Sequence, residues 1–255
     1  MADRFDTRFD RPQRLYEDAA GRDLTGAGAG RDTVGFDAGL RKHMLKVYNY
    51  MTSGVLLTGI VALLFASSGM AREIMGGPGI LKYLIMFAPL VFVMVMSFGI
   101  HKLSTGAAQA LYWAFAVVMG LSMSTIFLVF TGGSIATTFF ATAAAFASLS
   151  LYGYTTKRDL SGMGTFLIMG VVGLLVAMLL NLFLQSSALM YAISAIGVLI
   201  FAGLTVYDTQ QIKNFYYHVQ GTDFVGKAAI LGALNLYLDF VNMFQFLLSF
   251  MCSRE

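Results

Sequence analysis

Charge is scarce in this chain of 255 residues: Asp, Glu, Lys and Arg make up 12% of it, while 57% is apolar. A soluble domain carries about a quarter charged residues, so half the usual charge is missing. With a mean hydropathy of +0.71, the composition excludes an ordinary soluble domain and indicates a polytopic membrane protein. Cysteine is nearly absent too. The single Cys252 excludes an internal disulfide framework and any cysteine-based metal cluster. The three histidines lie in different segments, too scattered for a histidine metal site. No Ser-His-Asp set, phosphate loop or HExxH helix is present, so neither catalysis nor a cofactor is expected. No apolar h-region precedes residue 47, so no cleavable signal peptide is expected, and the acids of the first residues do not suit a mitochondrial presequence.

What is present is apolar sequence in long runs. Seven runs come near the roughly 20 residues that span hydrocarbon: Val47–Ser67, Ile80–Ile100, Ala107–Phe130, Ser134–Tyr154, Met163–Leu184, Ala188–Thr209 and Ala228–Met251. Short joins such as Thr131–Gly133 and Gln185–Ser187 fit antiparallel helical hairpins. The fold expected is all-α and integral to the membrane, a bundle of seven transmembrane helices. Residues 1–46 hold nine basic groups against eight acidic ones. The stretch rich in Arg, Asp and Gly cannot bury a core and reads as a disordered cytosolic tail over 1–42, followed by the membrane domain 43–255.

Orientation follows from Lys and Arg near the span ends. With the N-terminus inside, the inner side holds Arg41, Lys42, Lys46, Lys102, Lys157, Arg158, Lys213 and Lys227, and the outer side Arg72, Lys82 and Arg254. Eight against three places the N-terminus in the cytosol and the C-terminus outside. The expected home is a bacterial inner (plasma) membrane. Small residues crowd the middle spans, in AAAFAS and at Gly162, Gly164, Gly170 and Gly173, where they let backbones approach closely.

Acids inside spans are few, and an acid facing lipid costs at least a few kcal/mol. Of the acids from Val47 to Met251, Glu73, Asp159 and Asp223 fall in loops, which leaves Asp208 and Asp239 within spans. In the last span Asn235, Asp239 and Asn242 are spaced i, i+4, i+7 and share one helical face. Asp239 lies about 18 Å along that helix from Lys227 at 1.5 Å per residue, whereas Asp208 falls near the inner end of its own span. On these boundaries the two share a level only if the last helix begins below the surface or the sixth is shifted. If they do meet, two carboxylates at one buried site cannot both ionise cheaply, and they titrate as a unit. They also form a hard oxygen site of the kind Ca²⁺ accepts, though an incomplete one; Asn235, Asn242 and Thr205 are candidates to add oxygens. The alternative is an acid satisfied by neighbouring helices for packing alone. His101 and Lys102 close the second span on the inner side, as interface anchors or as a cationic partner for Asp208. Asn181 and Gln185, spaced i, i+4, suit interhelical hydrogen bonding or an outer permeation site.

Three segments together, LNLYLDFVNMFQFLL (234–248), VYDTQQIK (206–213) and YGYTTKRDLSGMGTFL (152–167), resemble the transmembrane Bax-inhibitor-motif family. The resemblance covers about residues 40–255. It implies a seven-helix fold with the last helix central, and a pH-sensitive calcium leak in which two aspartates form a sensor near the cytosolic mouth. Asp208 and Asp239 match those aspartates. Calcium-leak members carry an arginine at the inner end of the second helix; the corresponding place here reads SFGIHKLS, and lysine cannot supply a bidentate fork. The partners implied are membrane lipid, Ca²⁺ and protons, with no nucleic acid. Two other functions use the same residues: a proton-coupled transporter, or an interaction protein regulating a membrane protease or a cell-death partner. A retinal photoreceptor is excluded, because the last span has no lysine for a Schiff base.

Overall fold

A computed structural model describes residues 29–251, with side chains from Ala38 onward. All regular structure among the described residues is helical: α1 Ala29–Ser67, α2 Met70–Gly76, α3 Leu81–Gly99, α4 Thr105–Met123, α5 Ile126–Val129, α6 Gly132–Thr155, α7 Ser161–Leu184, α8 Ser187–Val219 and α9 Val225–Met251. Seven stretches are long and apolar enough to cross a membrane, the third being α4 and α5 together. Helices are what an apolar run must form in lipid, where every backbone N–H and C=O has to be bonded within the segment. The protein is an all-α integral membrane protein. The chain divides into two compact units, Met1–Lys42 and His43–Glu255, and the packing below is that of the second.

Polar side chains set the helix ends. Ser104, Thr131 and Ser186 each accept a hydrogen bond from the backbone N–H three residues on, capping α4, α6 and α8. Asn181 closes the turn from α7 to α8, its Oδ1 accepting from Ser186 N at 3.0 Å. Gln185 in that turn has φ 50°, the one described non-glycine residue in left-handed backbone. The Asn181 amide oxygen is thus engaged within the turn.

Six of the seven spans end within about three residues of the runs read from hydropathy, apart from the start of the first. The sixth differs. It was expected to stop at Thr209, but α8 continues to Val219. Hydropathy falls where DTQQIKNFYYHV begins, yet the helix goes on because this polar length is packed and bonded rather than lipid-facing. Helix α1 likewise begins at Ala29, before the predicted Val47. Of the tail expected to be disordered over residues 1–42, residues 1–28 lie outside the described residues, as do Cys252 and Arg254, while residues 29–42 belong to helix α1.

Helix α9 is the most buried element. Of its most apolar window 61% is buried, against 11% for α3 and for α7, which turn most of their surface outward. Small residues Ala228, Ala229, Gly232 and Ala233 line its first turns, and Leu236, Tyr237, Phe240, Phe244 and Leu248 fill the space beyond. Phe240 meets Phe139 and Phe146 of α6 edge to face, and Tyr237 meets Phe115 of α4 in the same way. The Tyr237 hydroxyl lies 2.6 Å from Thr58 Oγ1, which donates in turn to the Ala116 carbonyl at 2.9 Å. One buried bond chain therefore ties α9, α1 and α4. The most extensive contact of all is between α8 and α9; α8 also packs on α6 and α7. Glycine permits some of this closeness. A Cβ at Gly164 would meet the Tyr207 ring and one at Gly170 would meet Ile200, whereas Gly162 and Gly173 face open space.

Candidate functional site

Helices α8 and α9 are consecutive and antiparallel, and one aromatic contact sets their register. Phe201 of α8 stacks on Phe246 of α9, ring centroids 5.7 Å apart and planes at 24°. The Phe246 ring fits there because position 197 is glycine; a Cβ would lie 2.6 Å from it. Seven residues further along α8 from Phe201 stands Asp208, and seven residues back along α9 from Phe246 stands Asp239. Seven residues make about two helical turns, roughly 10.5 Å, and return to nearly the same face. Both aspartates therefore reach the same level of the α8–α9 seam. The electrostatic influence of Asp208 on Asp239 agrees with this. The extension of α8 to Val219 is what makes it possible, since about three turns of helix follow Asp208 and its place is no longer a helix end.

Asp239 is buried, with 4% of its surface exposed, and its Oδ2 has no hydrogen-bond partner. Asp208 is half-buried. Among the described residues no cation pairs with either carboxylate. Thr205, one turn before Asp208, is fully buried, and its hydroxyl donates to the Phe201 carbonyl at 2.8 Å. Asn242 is half-buried; its Nδ2 donates to the Leu238 carbonyl at 2.8 Å, so its amide oxygen is the end left for a ligand. Among the described residues no hydrogen bond joins the remaining residues singled out in the sequence to the pair. Asn235 is exposed. His101 and Lys102 are exposed as well, and the His101 imidazole stacks on Phe224 of the α8–α9 loop at 5.3 Å. His101 thereby anchors that loop.

The polar half of α8 holds the neighbouring loop. Gln210 is buried, and its side chain bonds at both ends: Oε1 accepts from Leu160 N at 2.9 Å, and Nε2 donates to the Arg158 carbonyl at 2.7 Å. Lys213 Nζ donates to the Tyr154 carbonyl at 2.8 Å. One residue earlier in α6, Gly153 lets the Val206 carbonyl and the Thr209 side chain approach its Cα closely. Ser150 lies within hydrogen-bond reach of both Thr209 (2.9 Å) and Tyr48 of α1 (2.6 Å). Two of the three recognised segments, 152–167 and 206–213, are thus two sides of one joint. Asp159 sits in that loop, where hydrogen bonds from the Ser161 hydroxyl and backbone N–H hold its carboxyl below the usual range.

Sequence reasoning passed over Gln210 and His43. His43 is 4% exposed, with neither ring nitrogen hydrogen-bonded, and its ring lies against Tyr216 at 5.0 Å. Its signal was spacing: His43, Val47 and Met51 recur every four residues, and all three are buried.

Chemically, the seam offers two carboxylates, one orphaned oxygen among them, in a place without a compensating cation. Such a pair can hold a proton, or a hard cation briefly. No group of three or more His, Cys, Asp or Glu able to cage a metal occurs among the described residues. Comparison with known proteins points the same way as the fold. The model of a family described as Bax1-I, inhibitor of apoptosis-promoting Bax1, matches residues 40–255. The inner membrane protein YbhL of Escherichia coli (strain K12) is 45% identical over 220 residues, 86% of this chain and 94% of the relative. Uncharacterized protein RP147 of Rickettsia prowazekii is 46% identical over 221 residues, 86% and 93% of the two chains. Uncharacterized protein YrjE of Lactococcus lactis is 38% identical over 214 residues, 82% and 90% of the two chains.

Proposed function

Since the chain belongs to the Bax1-I family, we propose that it is a pH-sensitive cation leak, with Ca²⁺ as the principal ion, gated by Asp208 and Asp239. The observation that carries this reading is the shared level of the two aspartates on the α8–α9 seam, with Asp239 Oδ2 buried and unpartnered. Two carboxylates so placed, with no cation beside them, repel one another and are relieved by a shared proton or by a divalent cation. Protons and Ca²⁺ then compete for one place, and occupancy follows pH. Ca²⁺ prefers six to eight oxygens. The pair, the Asn242 amide oxygen and water supply fewer fixed ones, so the ion is held weakly enough to leave again, as conduction requires. The role is non-catalytic. In the orientation we infer, the end bearing Lys102, Lys157, Arg158 and Lys227 faces the cytosol of a bacterial inner membrane, and the C-terminus lies outside.

Calcium entry into proteoliposomes tests the reading. A leak admits Ca²⁺ down its own gradient with no other solute, whereas a proton-coupled transporter takes up protons in step with its substrate. A second reading, regulation of a membrane protein partner, draws on the family's description. It takes first place if no flux is seen in protein whose fold is intact.

A further inference from the structure

A cleft of about 500 Å³ opens between α7, α8 and α9 at the end of the bundle where α7 turns into α8. Its lining is more apolar than polar, with Met178, Leu182 and the Phe246 ring in its wall, and its polar groups, two amides and four serines, are all neutral. Along α8 the residues Ser194, Gly197, Phe201, Thr205 and Asp208 recur at three or four positions and so share a face. Along α9 the matching series is Ser249, Phe246, Asn242 and Asp239. The cleft and the aspartate pair thus lie on one seam, and between them stands the stacked pair Phe201–Phe246, seated in the gap left by Gly197.

We propose that this aromatic pair is a second closure of the pathway, a hydrophobic plug separating the aspartates from a vestibule that receives hydrated cations. The proposal rests on the leak reading for its purpose and on the seam geometry for its place. The vestibule's neutral amide and hydroxyl oxygens can exchange with the water around an ion without trapping it. The ring pair offers a hard cation no oxygen in place of its hydration shell, and apolar constrictions of this kind close by excluding water. Phe201 is 8% exposed and Thr205, one turn beyond, is fully buried, so the way from the cleft to Thr205 is shut. A shift of Phe246 off Gly197 opens it.

The test reads access rather than flux. In the full chain carrying Cys252→Ser, reconstituted in vesicles, Ser187→Cys reports on the cleft and Thr205→Cys on the buried position beyond the rings. The probe is a charged, membrane-impermeant methanethiosulfonate added on the side from which Ser187→Cys is modified, and labelling is followed by mass. Thr205→Cys is expected to label slowly, and Phe246→Ala to raise its rate at least about tenfold, as opening an apolar constriction should. Phe201→Ala does the same by removing the other ring, and serves if Phe246→Ala does not fold. Phe246→Leu keeps an apolar plug and the slow rate. The proposal is overturned if Thr205→Cys labels as fast as Ser187→Cys with both rings in place, or if neither alanine variant changes its rate. Labelling that rises in protein without calcium flux retains the plug and removes the leak; flux with labelling unchanged does the reverse.

Discussion

Replacing Gln210 by Leu should release the loop between α6 and α7 while leaving the spans in place. The Gln210 amide satisfies the Leu160 N–H and the Arg158 carbonyl at once, and Leu160 is itself buried. Leucine fills similar space but leaves both backbone groups without partners. Each bond is worth about 1 kcal/mol net, and a buried group left unsatisfied costs about 1–3 kcal/mol, so the loop loses about 2–3 kcal/mol. At about 1.4 kcal/mol per factor of ten, the Leu160 amide should exchange with solvent deuterium roughly thirty to a hundred and forty times faster. Hydrogen exchange read by mass spectrometry on a peptide spanning 155–163 measures this directly. Gln210→Glu is the informative second variant: protonated, it can accept from Leu160 and donate to Arg158 as glutamine does, but ionised it sets a carboxylate oxygen against the Arg158 carbonyl. Exchange at Leu160 should therefore stay close to that of the parent at low pH and rise as the carboxyl ionises. Because the loop opens locally, the global unfolding midpoint should move by less than the full loss. Unchanged exchange at Leu160 in Gln210→Leu would refute the idea that this side chain is what joins the two segments.

Three further outcomes follow from the packing. Gly153→Ala should destabilise the protein by about 1–3 kcal/mol, because its Cβ would press on the Val206 backbone, which cannot rotate away; Gly162→Ala, facing open space, should be neutral or mildly stabilising in the same detergent-unfolding titration. Thr58→Val should cost more than Tyr237→Phe, about 1–3 against 0.5–1.5 kcal/mol: the first strands a buried tyrosine hydroxyl, while the second leaves Thr58 bonded to Ala116. Asp159 has its carboxyl held below the usual range by Ser161, so its support for the start of α7 is present above the ordinary carboxylate pKa and is lost as pH falls through the lowered value. Amide exchange at residues 161–163 should rise on acidification in the parent and be independent of pH in Asp159→Asn, once corrected for the intrinsic rate.

The seven spans were legible because lipid imposes one rule on the whole chain, and long apolar runs obey it visibly. The end of α8 was not legible for the same reason. Its last ten residues, Gln210 to Val219, are helical but polar, and they are held by contacts with Tyr154, Arg158 and Leu160, far away in sequence. That error displaced Asp208 to a helix end and left its meeting with Asp239 unresolved by spacing. The register emerges from Phe201 and Phe246, two ordinary apolar residues among many, and from a glycine that admits a ring. Asn235 illustrates the limit of a face argument: it shares the Asp239 face by spacing, yet one turn away that face is exposed. His43 carried a visible spacing signal, but its burial becomes certain only when Tyr216 is packed on it.

The measurement that bears most directly on the central claim is calcium flux into proteoliposomes between about pH 5 and 8, a range bracketing a buried carboxylate pair. It is made on the parent and on Asp208→Asn and Asp239→Asn, with fold checked by gel filtration. The account predicts flux that changes with pH in the parent and loses that dependence in both variants, because either substitution leaves one carboxyl where two had shared a proton. Flux that keeps the parental pH profile in both variants, or no flux in well-folded parent protein, would contradict it.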